Sequence, residues 1–257
     1  MRVGRAAVLG LTQGAAEVIP VSSSAQLVLL PWLLRWEQPT DRTTFAAGLH
    51  AGSCLGIAWA LREELRGLDR RTLALLAASS LPAAVAGAAV ADRVEERLGR
   101  PPQLAALLAA AGAVMWWVDA RQATQEADPR PVDARQAALA GLAQVVALIP
   151  GVSRSGATLT ALRAAGVERA EAERFSLLMS LPVTAGAAVL TLARADCRSL
   201  REMAPGLVSG TTTAALAGAL AATRLRRHPG RPLAAAAFYR LGLAAVVARR
   251  LVREGVP

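Results

Sequence analysis

The sequence of 257 residues contains no lysine, so its positive charge comes from 29 arginines. Against 19 acidic residues this gives a formal net charge of +10, which in a soluble protein would favour binding to nucleic acid. Here, however, the arginines lie in short connections between long apolar runs, as is typical of loops at a lipid headgroup surface. The sequence therefore predicts contact with a lipid bilayer and no nucleic-acid partner.

Cysteine and histidine are also rare, with two residues of each. Cys54 and Cys197 match no metal-binding or redox spacing, and the histidines are His50 and His228. A cleaved signal peptide is not expected, because the apolar run after Arg5 is only six residues long.

Charged residues are almost absent from six long apolar runs, of which only one contains a charge, Arg240. A membrane helix needs about 20 mostly apolar residues, and somewhat fewer when its ends snorkel. We therefore predict an all-α polytopic membrane protein that forms a single membrane domain over residues 1–257. Its six predicted transmembrane helices are Phe45–Leu61, Leu73–Ala91, Gln103–Val118, Phe175–Ala193, Met203–Thr223 and Leu233–Ala248.

An internal repeat appears when the chain is shifted by 131 residues. GLTQGAAEVIPVSSS at Gly10–Ser24 then aligns with GLAQVVALIPGVSRS at Gly141–Ser155, and seven of the fifteen positions are identical. This similarity indicates a duplication. We predict a first repeat over residues 1–118, a second over residues 137–257, and a linker over residues 119–136.

Each repeat begins with an apolar element that is interrupted by a break of proline, serine and glycine. Neither half of the element is long enough to cross a bilayer, so we predict two re-entrant helix-loop-helix hairpins. Three predicted spans separate the hairpins, which gives the repeats inverted topology and lets the two breaks meet near the midplane. Transporters of this architecture bind polar ligands at such breaks. The arginines divide almost equally between the two faces, so their distribution predicts no orientation.

The first break carries a carboxylate and three serines. Gln13 and Glu17 are four residues apart and share one helix face, where an acid within the membrane usually faces a partner or a cavity. The alternative is a solvated interfacial position for Glu17. Ser22, Ser23 and Ser24 precede an apolar helix, and at least one of them is expected to cap it. The same helix start can bind an anion, so capping and phosphate binding are compatible.

The second break supplies Ser153, Arg154, Ser155 and Gly156, which together resemble a phosphate cradle. Glycine allows close approach of the backbone, hydroxyl groups donate hydrogen bonds, and a guanidinium binds phosphate oxygens in bidentate fashion. The alternative is that Arg154 only pairs with Glu17 and joins the hairpins.

A carboxylate next to an anion site also suggests a divalent cation, held by Glu17 with Gln13 as a neutral oxygen ligand. Together with Arg154, such a cation would neutralise charge on a transferring phosphoryl group. The phosphoryl acceptor would be water or one of the serines.

These segments resemble the bacterial undecaprenyl-diphosphate phosphatases of the bacitracin-resistance type. GLTQGAAEVIPVSSSAQL resembles the first signature of that family, and PGVSRSGAT is similar to the second almost letter for letter. FAAGLHAG, RFSLLMSLPVTAGA and FYRLG resemble further family segments in the family order, so the likeness spans the chain.

The resemblance implies an enzyme of the bacterial plasma membrane that hydrolyses undecaprenyl diphosphate and recycles the lipid carrier for cell-wall synthesis. It implies a polyprenyl diphosphate substrate and a divalent cation such as magnesium or calcium, and it leaves a homodimer open. It places the catalytic groups on Glu17, Ser23 and Arg154 and the metal ligands on Gln13 and Glu17. The residues expected to bind substrate are Ser22, Ser24, Gln26, Ser153, Ser155 and Gly156.

One departure from the family pattern concerns Gln26, which stands where the family usually carries a histidine. A glutamine cannot titrate near neutral pH. His50 is then either a substitute or a structural residue. Arg240, which with Tyr239 matches the family's Tyr-Arg pair, is either part of a structural pair or a second phosphate contact. The departure also leaves open a lipid-phosphate carrier that binds without hydrolysis, or a weakened enzyme.

Overall fold

The computed structural model describes residues 1–123 and 130–255, apart from the side chain of Asp92. The helices of these residues are all α-helices, and no strand is found among them. The all-α prediction is therefore confirmed for the described residues, whereas residues 124–129 of the predicted linker lie outside them. In chain order the helices are α1 (Val3–Val18), α2 (Ser23–Leu34), α3 (Arg42–Ala60), α4 (Arg62–Arg66), α5 (Arg70–Leu98), α6 (Pro101–Gln122), α7 (Ala134–Val146), α8 (Arg154–Ala164), α9 (Arg169–Arg194), α10 (Cys197–Arg227) and α11 (Ala234–Glu254).

Among the described residues, four helices are long and apolar enough to cross a membrane, namely residues Arg70–Ala91 of α5 and the whole of α6, α9 and α10. They coincide with four of the six predicted spans, and the chain is a multi-pass helical membrane protein. The other two predicted spans lie on α3 and α11, which are helical but are not among these four. Their polar content is the physical reason, since α11 carries Arg240 inside it and α3 carries His50 and Ser53.

Aspartate side chains begin four of the helices. Asp41, Asp69, Asp133 and Asp196 each accept a hydrogen bond from a backbone N–H in the first turn of α3, α5, α7 and α10, respectively. Such caps satisfy one of the N–H groups that a helix start leaves without an intrahelical partner. At Asp41, the bonds from Thr44 hold the pKa of the carboxyl below its usual value.

The two helix pairs that flank the breaks each begin and end on one side of the molecule. The guanidinium of Arg5, near the start of α1, lies 5.6 Å from the ring centroid of Trp36, which follows α2. In the other pair, Nε2 of Gln136 in the first turn of α7 donates to the carbonyl oxygen of Ala165 after α8, at 3.4 Å. We call the side on which α1 begins the N-terminal face.

The two breaks share an unusual backbone conformation at the positions that the repeat aligns. Ser22 has φ 68° and Ser153 has φ 75°, a region that residues other than glycine rarely occupy. Both serines are buried, and each is followed directly by the first residue of a helix, Ser23 in α2 and Arg154 in α8. Strained backbone of this kind is often found at functional sites.

α10 packs between α1 and α3 through small residues, a feature that the sequence analysis did not identify. A Cβ atom on Gly10 would overlap the carbonyl oxygen of Gly210, and one on Gly56 would overlap that of Ala215. The hydroxyl of Thr211 donates to the carbonyl oxygen of Gly48 at 3.1 Å. Small residues allow this close approach of membrane helices. Residues later in α3 contact residues later in α10, since Gly48 contacts Thr211 and Gly56 contacts Ala215. α1 and α3 therefore run parallel to α10, and α10 ends on the face opposite the N-terminal face.

Asp119 in the last turn of α6 joins three other elements on that opposite face. Its Oδ1 accepts from Nε of Arg163 in α8 at 3.2 Å and from Nε of Arg169 in α9 at 2.8 Å. Its Oδ2 accepts from the backbone N–H of Leu233, just before α11, at 3.0 Å. Asp119 and Arg163 are both buried, so this cluster fixes the ends of α6 and α8 relative to the starts of α9 and α11.

Tryptophan–arginine pairs lie at both faces. Trp36 contacts Arg5 and Trp32 contacts Arg250 on the N-terminal face, while Trp59 contacts Arg62 and Trp117 contacts Arg121 at the ends of α3 and α6. Tryptophan is enriched where a membrane protein crosses the headgroup region, and arginine interacts favourably with its ring. The pairs therefore fit contact with lipid headgroups at two levels.

Candidate functional site

Glu17 and Arg154 bring the two breaks together inside the molecule. Nη2 of Arg154 lies 2.6 Å from Oε1 of Glu17, and the side chains are 15% and 5% exposed. Glu17 lies in the last turn of α1, just before the first break, and Arg154 begins α8, just after the second, so this ion pair joins residues that are 137 positions apart. The breaks therefore meet as expected, and Glu17 is buried in protein rather than solvated at an interface.

Four further side chains surround the Glu17 carboxylate. Oε2 accepts from Nε2 of Gln13 at 2.7 Å, contacts Nδ1 of His50 at 3.1 Å and lies 3.5 Å from Oγ of Ser23. Oε1 accepts from the hydroxyl of Thr184 at 3.4 Å. Both carboxylate oxygens are thus held by donors from several helices, which fixes their orientation.

The first cavity reaches this site from the face opposite the N-terminal face. It has a volume of about 290 Å³, and its inner end is lined by Glu17, Arg154, Ser155 and Ser176. Apolar side chains form most of its wall, and its mouth is lined by Glu173, Arg224, His228 and Arg231. The arginine of the ion pair is therefore reached from a largely apolar cavity with a basic rim.

The second cavity, of about 260 Å³, opens on the N-terminal face. Its inner end is lined by His50 and Ser24, and its mouth by Gln38, Arg42 and Glu95. The two mouths lie on opposite faces because α3 begins at Arg42 and runs parallel to α10, which ends beside the first mouth. Both cavities therefore lead to the contacts around Glu17.

The serines divide between structural positions and the cavities. Oγ of Ser153 accepts from the backbone N–H of Gly156 at 3.2 Å and therefore caps α8. Ser22 is buried, and its Oγ lies 3.4 Å from that of Ser24. Ser155 lines the first cavity and Ser24 the second. The structure thus places these two where a ligand can reach them, and places Ser22 and Ser153 inside the breaks.

Gln26 makes no hydrogen bond to Glu17, and both ends of its amide bond to other residues of the described chain. Its Nε2 donates to the carbonyl oxygen of Val21 at 3.3 Å, and its Oε1 accepts from the hydroxyl of Tyr239 at 3.1 Å. The imidazole next to Glu17 belongs instead to His50, whose side chain is 30% exposed and lines the second cavity. In the sequence His50 is only a candidate, because the direction in which it points depends on how α3 packs against α10.

Gly156 lies behind the second break rather than in a cavity. A Cβ atom at this position would lie 2.7 Å from Nη1 of Arg240, so the guanidinium occupies the space that a side chain would need. A side chain at this position would have to displace that guanidinium, so packing behind the break accounts for the glycine.

The groups around Glu17 suit a divalent cation only in company with a phosphate-bearing ligand. Glu17 is the carboxylate at the inner end of the first cavity, and Gln13 keeps a buried Oε1 without a hydrogen-bond partner among the described residues. Within those residues no group of three His, Cys, Asp or Glu side chains forms a metal cage. One carboxylate and one amide oxygen are oxygen ligands of the type that magnesium and calcium prefer, and magnesium usually takes the rest from waters and phosphates.

Comparison with known proteins gives one family across most of the chain. The family described as bacitracin resistance protein BacA matches residues 6–246. An undecaprenyl-diphosphatase of Geobacter sulfurreducens is 39% identical over 245 residues, which cover 88% of this chain and 90% of the relative. Proteins of the same name from Moorella thermoacetica and Pelotomaculum thermopropionicum are 38% and 35% identical, and the alignments cover 86% and 96% of this chain and 87% and 97% of the relatives.

Proposed function

Because the chain belongs to the bacitracin resistance protein BacA family, we propose that it hydrolyses undecaprenyl diphosphate to undecaprenyl phosphate and inorganic phosphate. The activity recycles the lipid carrier for cell-wall synthesis. The observation that carries the proposal is the Glu17–Arg154 pair, which joins both breaks at the inner end of a cavity. A lipid-phosphate carrier without hydrolysis is less favoured, since the relatives named above are diphosphatases.

Substrate binding is assigned to the second break. The guanidinium of Arg154 can bind two phosphate oxygens at once, and the first N–H groups of α8 lie beside it. Ser155 lines the same cavity and can donate a hydroxyl. Since Arg154 is paired with Glu17, the diphosphate competes with the carboxylate for the guanidinium. The apolar wall of the first cavity suits the prenyl chain next to the phosphates.

The chemistry is assigned to the first break. Ser23 lies 3.5 Å from the Glu17 carboxylate and is the proposed nucleophile. Its oxygen bonds to the terminal phosphorus, the anhydride P–O bond breaks, and undecaprenyl phosphate leaves. The hydroxyl proton passes to Glu17, which shares it with His50. Water then attacks the phosphorus of the phosphoserine, inorganic phosphate leaves, and the serine oxygen regains its proton from Glu17.

Glu17 and Gln13 would hold a divalent cation, which when bound with the diphosphate would neutralise charge on the phosphoryl oxygens. Arg154 supplies positive charge at the same place from the chain itself. The carboxylate, hydroxyl and guanidinium all come from one chain, so a homodimer is not needed to complete the site.

For the membrane arrangement we propose six transmembrane helices and two re-entrant hairpins in inverted repeats, in the plasma membrane of a bacterium. The pairing of Arg5 with Trp36 and of Gln136 with Ala165 supports hairpins that leave on the side they entered. α3 and α11 are the two spans that this arrangement adds to α5, α6, α9 and α10. Both have the length of a crossing, with 19 and 21 residues.

The proposal is tested by phosphate release from undecaprenyl diphosphate, with purified protein in detergent. The unaltered protein should be active, and Glu17→Ala and Arg154→Ala should each lose at least about a hundredfold, as expected for groups acting on the reacting phosphoryl. Arg198 and Glu202 form an exposed ion pair at 3.1 Å, so Arg198→Ala and Glu202→Ala are matched controls that should keep full activity. An inactive unaltered protein contradicts the function, and full activity in the two site variants contradicts the site.

A further inference from the structure

Two neighbouring residues of α11 each bond to a different hairpin. The hydroxyl of Tyr239 donates to Oε1 of Gln26 at 3.1 Å, in the first hairpin. Nη2 of Arg240 donates to the carbonyl oxygens of Gly151 at 2.7 Å and Val152 at 2.8 Å, in the second hairpin. α11 lies outside both hairpins, so these contacts fix the two breaks relative to one external helix.

In the first break the connection runs from Tyr239 through Gln26 to Val21. Because Gln26 also donates to the carbonyl oxygen of Val21, the amide joins the hydroxyl on α11 to the backbone immediately before Ser22. Ser22 has the positive φ of the break, and the next residue is Ser23. The orientation of the Ser23 hydroxyl toward Glu17 therefore depends on a backbone segment that Tyr239 holds through Gln26.

In the second break Arg240 satisfies two successive carbonyl groups. Irregular backbone at membrane depth needs partners from the protein, since each orphaned polar group costs several kcal/mol in hydrocarbon. The guanidinium is fully buried and also fills the space beside Gly156. With the carbonyls of Gly151 and Val152 bound behind the break, the following residues Ser153 and Arg154 are held in the turn that starts α8.

Arg240 also differs from Arg154 in its charge balance. Arg154 is neutralised by Glu17, whereas no ion pair joins Arg240 to a carboxylate within 4.0 Å among the described residues. Its Nε and Nη1 are buried and have no hydrogen-bond partner there. A buried unpaired cation is costly, and its field favours an anion nearby. The positive charge therefore lies directly behind the helix start that would receive a phosphate.

We propose that Tyr239 and Arg240 are positioning residues that hold the two breaks in the geometry for binding a diphosphate, with one residue for each break. Arg240 additionally supplies positive charge behind the phosphate site without touching the ligand. This inference rests on the proposed function for the identity of the ligand.

For the first break the test is Tyr239→Phe, which removes one oxygen and keeps the ring. Loss of a single hydrogen bond should lower kcat/KM by about fivefold, mainly through kcat, because Ser23 is displaced. Phe238→Leu is the control, since this neighbouring ring contacts Trp116 and neither break, and it should keep full activity. Gln26→Ala should have a similar effect to Tyr239→Phe, and the double variant should be no worse than the single ones, because both act in one connection.

For the second break the tests are Arg240→Lys and Arg240→Met. The lysine keeps the charge but not the planar fork, so KM should rise by about tenfold. The methionine removes the charge too, so KM should rise further and the increase in Tm caused by inorganic phosphate should disappear. Arg250→Lys is the control, because Arg250 also lies on α11 and donates to a carbonyl, that of Leu33, away from the breaks. Combined with Tyr239→Phe, the effect of Arg240→Lys should be additive.

Unchanged kcat and KM in Tyr239→Phe and Arg240→Lys, in a protein that hydrolyses the substrate, would overturn this inference alone. A folded Arg240→Met variant that keeps the phosphate-induced rise in Tm would also overturn it. If the unaltered protein does not hydrolyse the substrate but phosphate still raises its Tm, the proposed function is wrong. The positioning role of Arg240 then stands if the rise in Tm is lost in Arg240→Met, and is wrong if the rise remains. If phosphate neither reacts nor binds, both proposals fail.

Discussion

Asp119→Ala should be among the more destabilising single substitutions in this chain. The carboxylate accepts hydrogen bonds from Arg163, Arg169 and the backbone N–H of Leu233. The Arg163 side chain is only 3% exposed, so removing the carboxylate takes away the charge that this buried guanidinium pairs with. Breaking a buried pair in this way costs about 3–5 kcal/mol. For a chain of this size each kcal/mol corresponds to roughly 2–4 °C, so Tm should fall by about 10 °C.

The assay is thermal unfolding in detergent, in which the fraction of protein that stays monodisperse is measured after heating to each temperature. Asp196→Ala is the matched control, since Asp196 caps α10 through Ser199 and is exposed, and its effect should be much smaller. Adding Arg163→Met to Asp119→Ala should restore part of the lost Tm, because the unpaired charge is removed. The recovery should fall short by about 1 kcal/mol, because Arg163 also donates to the carbonyl oxygen of Val167 and the methionine loses that hydrogen bond. A double variant less stable than Asp119→Ala would refute the reasoning.

Two further predictions concern α3. Gly56→Val should lower Tm strongly, because its Cβ atom overlaps the carbonyl oxygen of Ala215. Gly186→Val should not, since no described residue lies within 4 Å of its Cβ position, and equal Tm values in the two variants would contradict the packing. His50→Gln should lower kcat by at least about tenfold with little change in Tm, because it removes the imidazole that contacts Glu17 and that the proposed mechanism uses to share the serine proton. His228→Gln, at the cavity mouth, is its control in the same phosphate assay, and an undiminished kcat in His50→Gln would exclude that role for the imidazole.

The meeting of Glu17 with Arg154 could be predicted because its signals are local. Proline, serine and glycine interrupt two apolar runs, and the repeat places the interruptions at matching positions. An odd number of predicted crossings then brings them to one depth. Hydropathy likewise predicted the four helices that are apolar enough to cross, since their length and composition can be read without knowing their neighbours.

The partners of Gln26 and His50 could not be predicted in the same way. Tyr239 is 213 residues away from Gln26, and its contact depends on how α11 lies against α2. The rotation that turns His50 toward Glu17 is set by the close packing of the α3 glycines on α10, a long-range contact. Gly48, Gly52 and Gly56 recur at four-residue intervals, and this spacing was the signal available in the sequence.

The pairing of Glu17 with Arg154 has a consequence for the order of events at the site. In the proposed mechanism Glu17 is the base and Arg154 binds the phosphate, so their ion pair keeps both groups occupied while no ligand is bound. A phosphate that takes over Arg154 releases Glu17 at the same moment. Under that mechanism, binding of the phosphate and release of the base are one event, and a molecule without a phosphate group leaves Glu17 paired with Arg154.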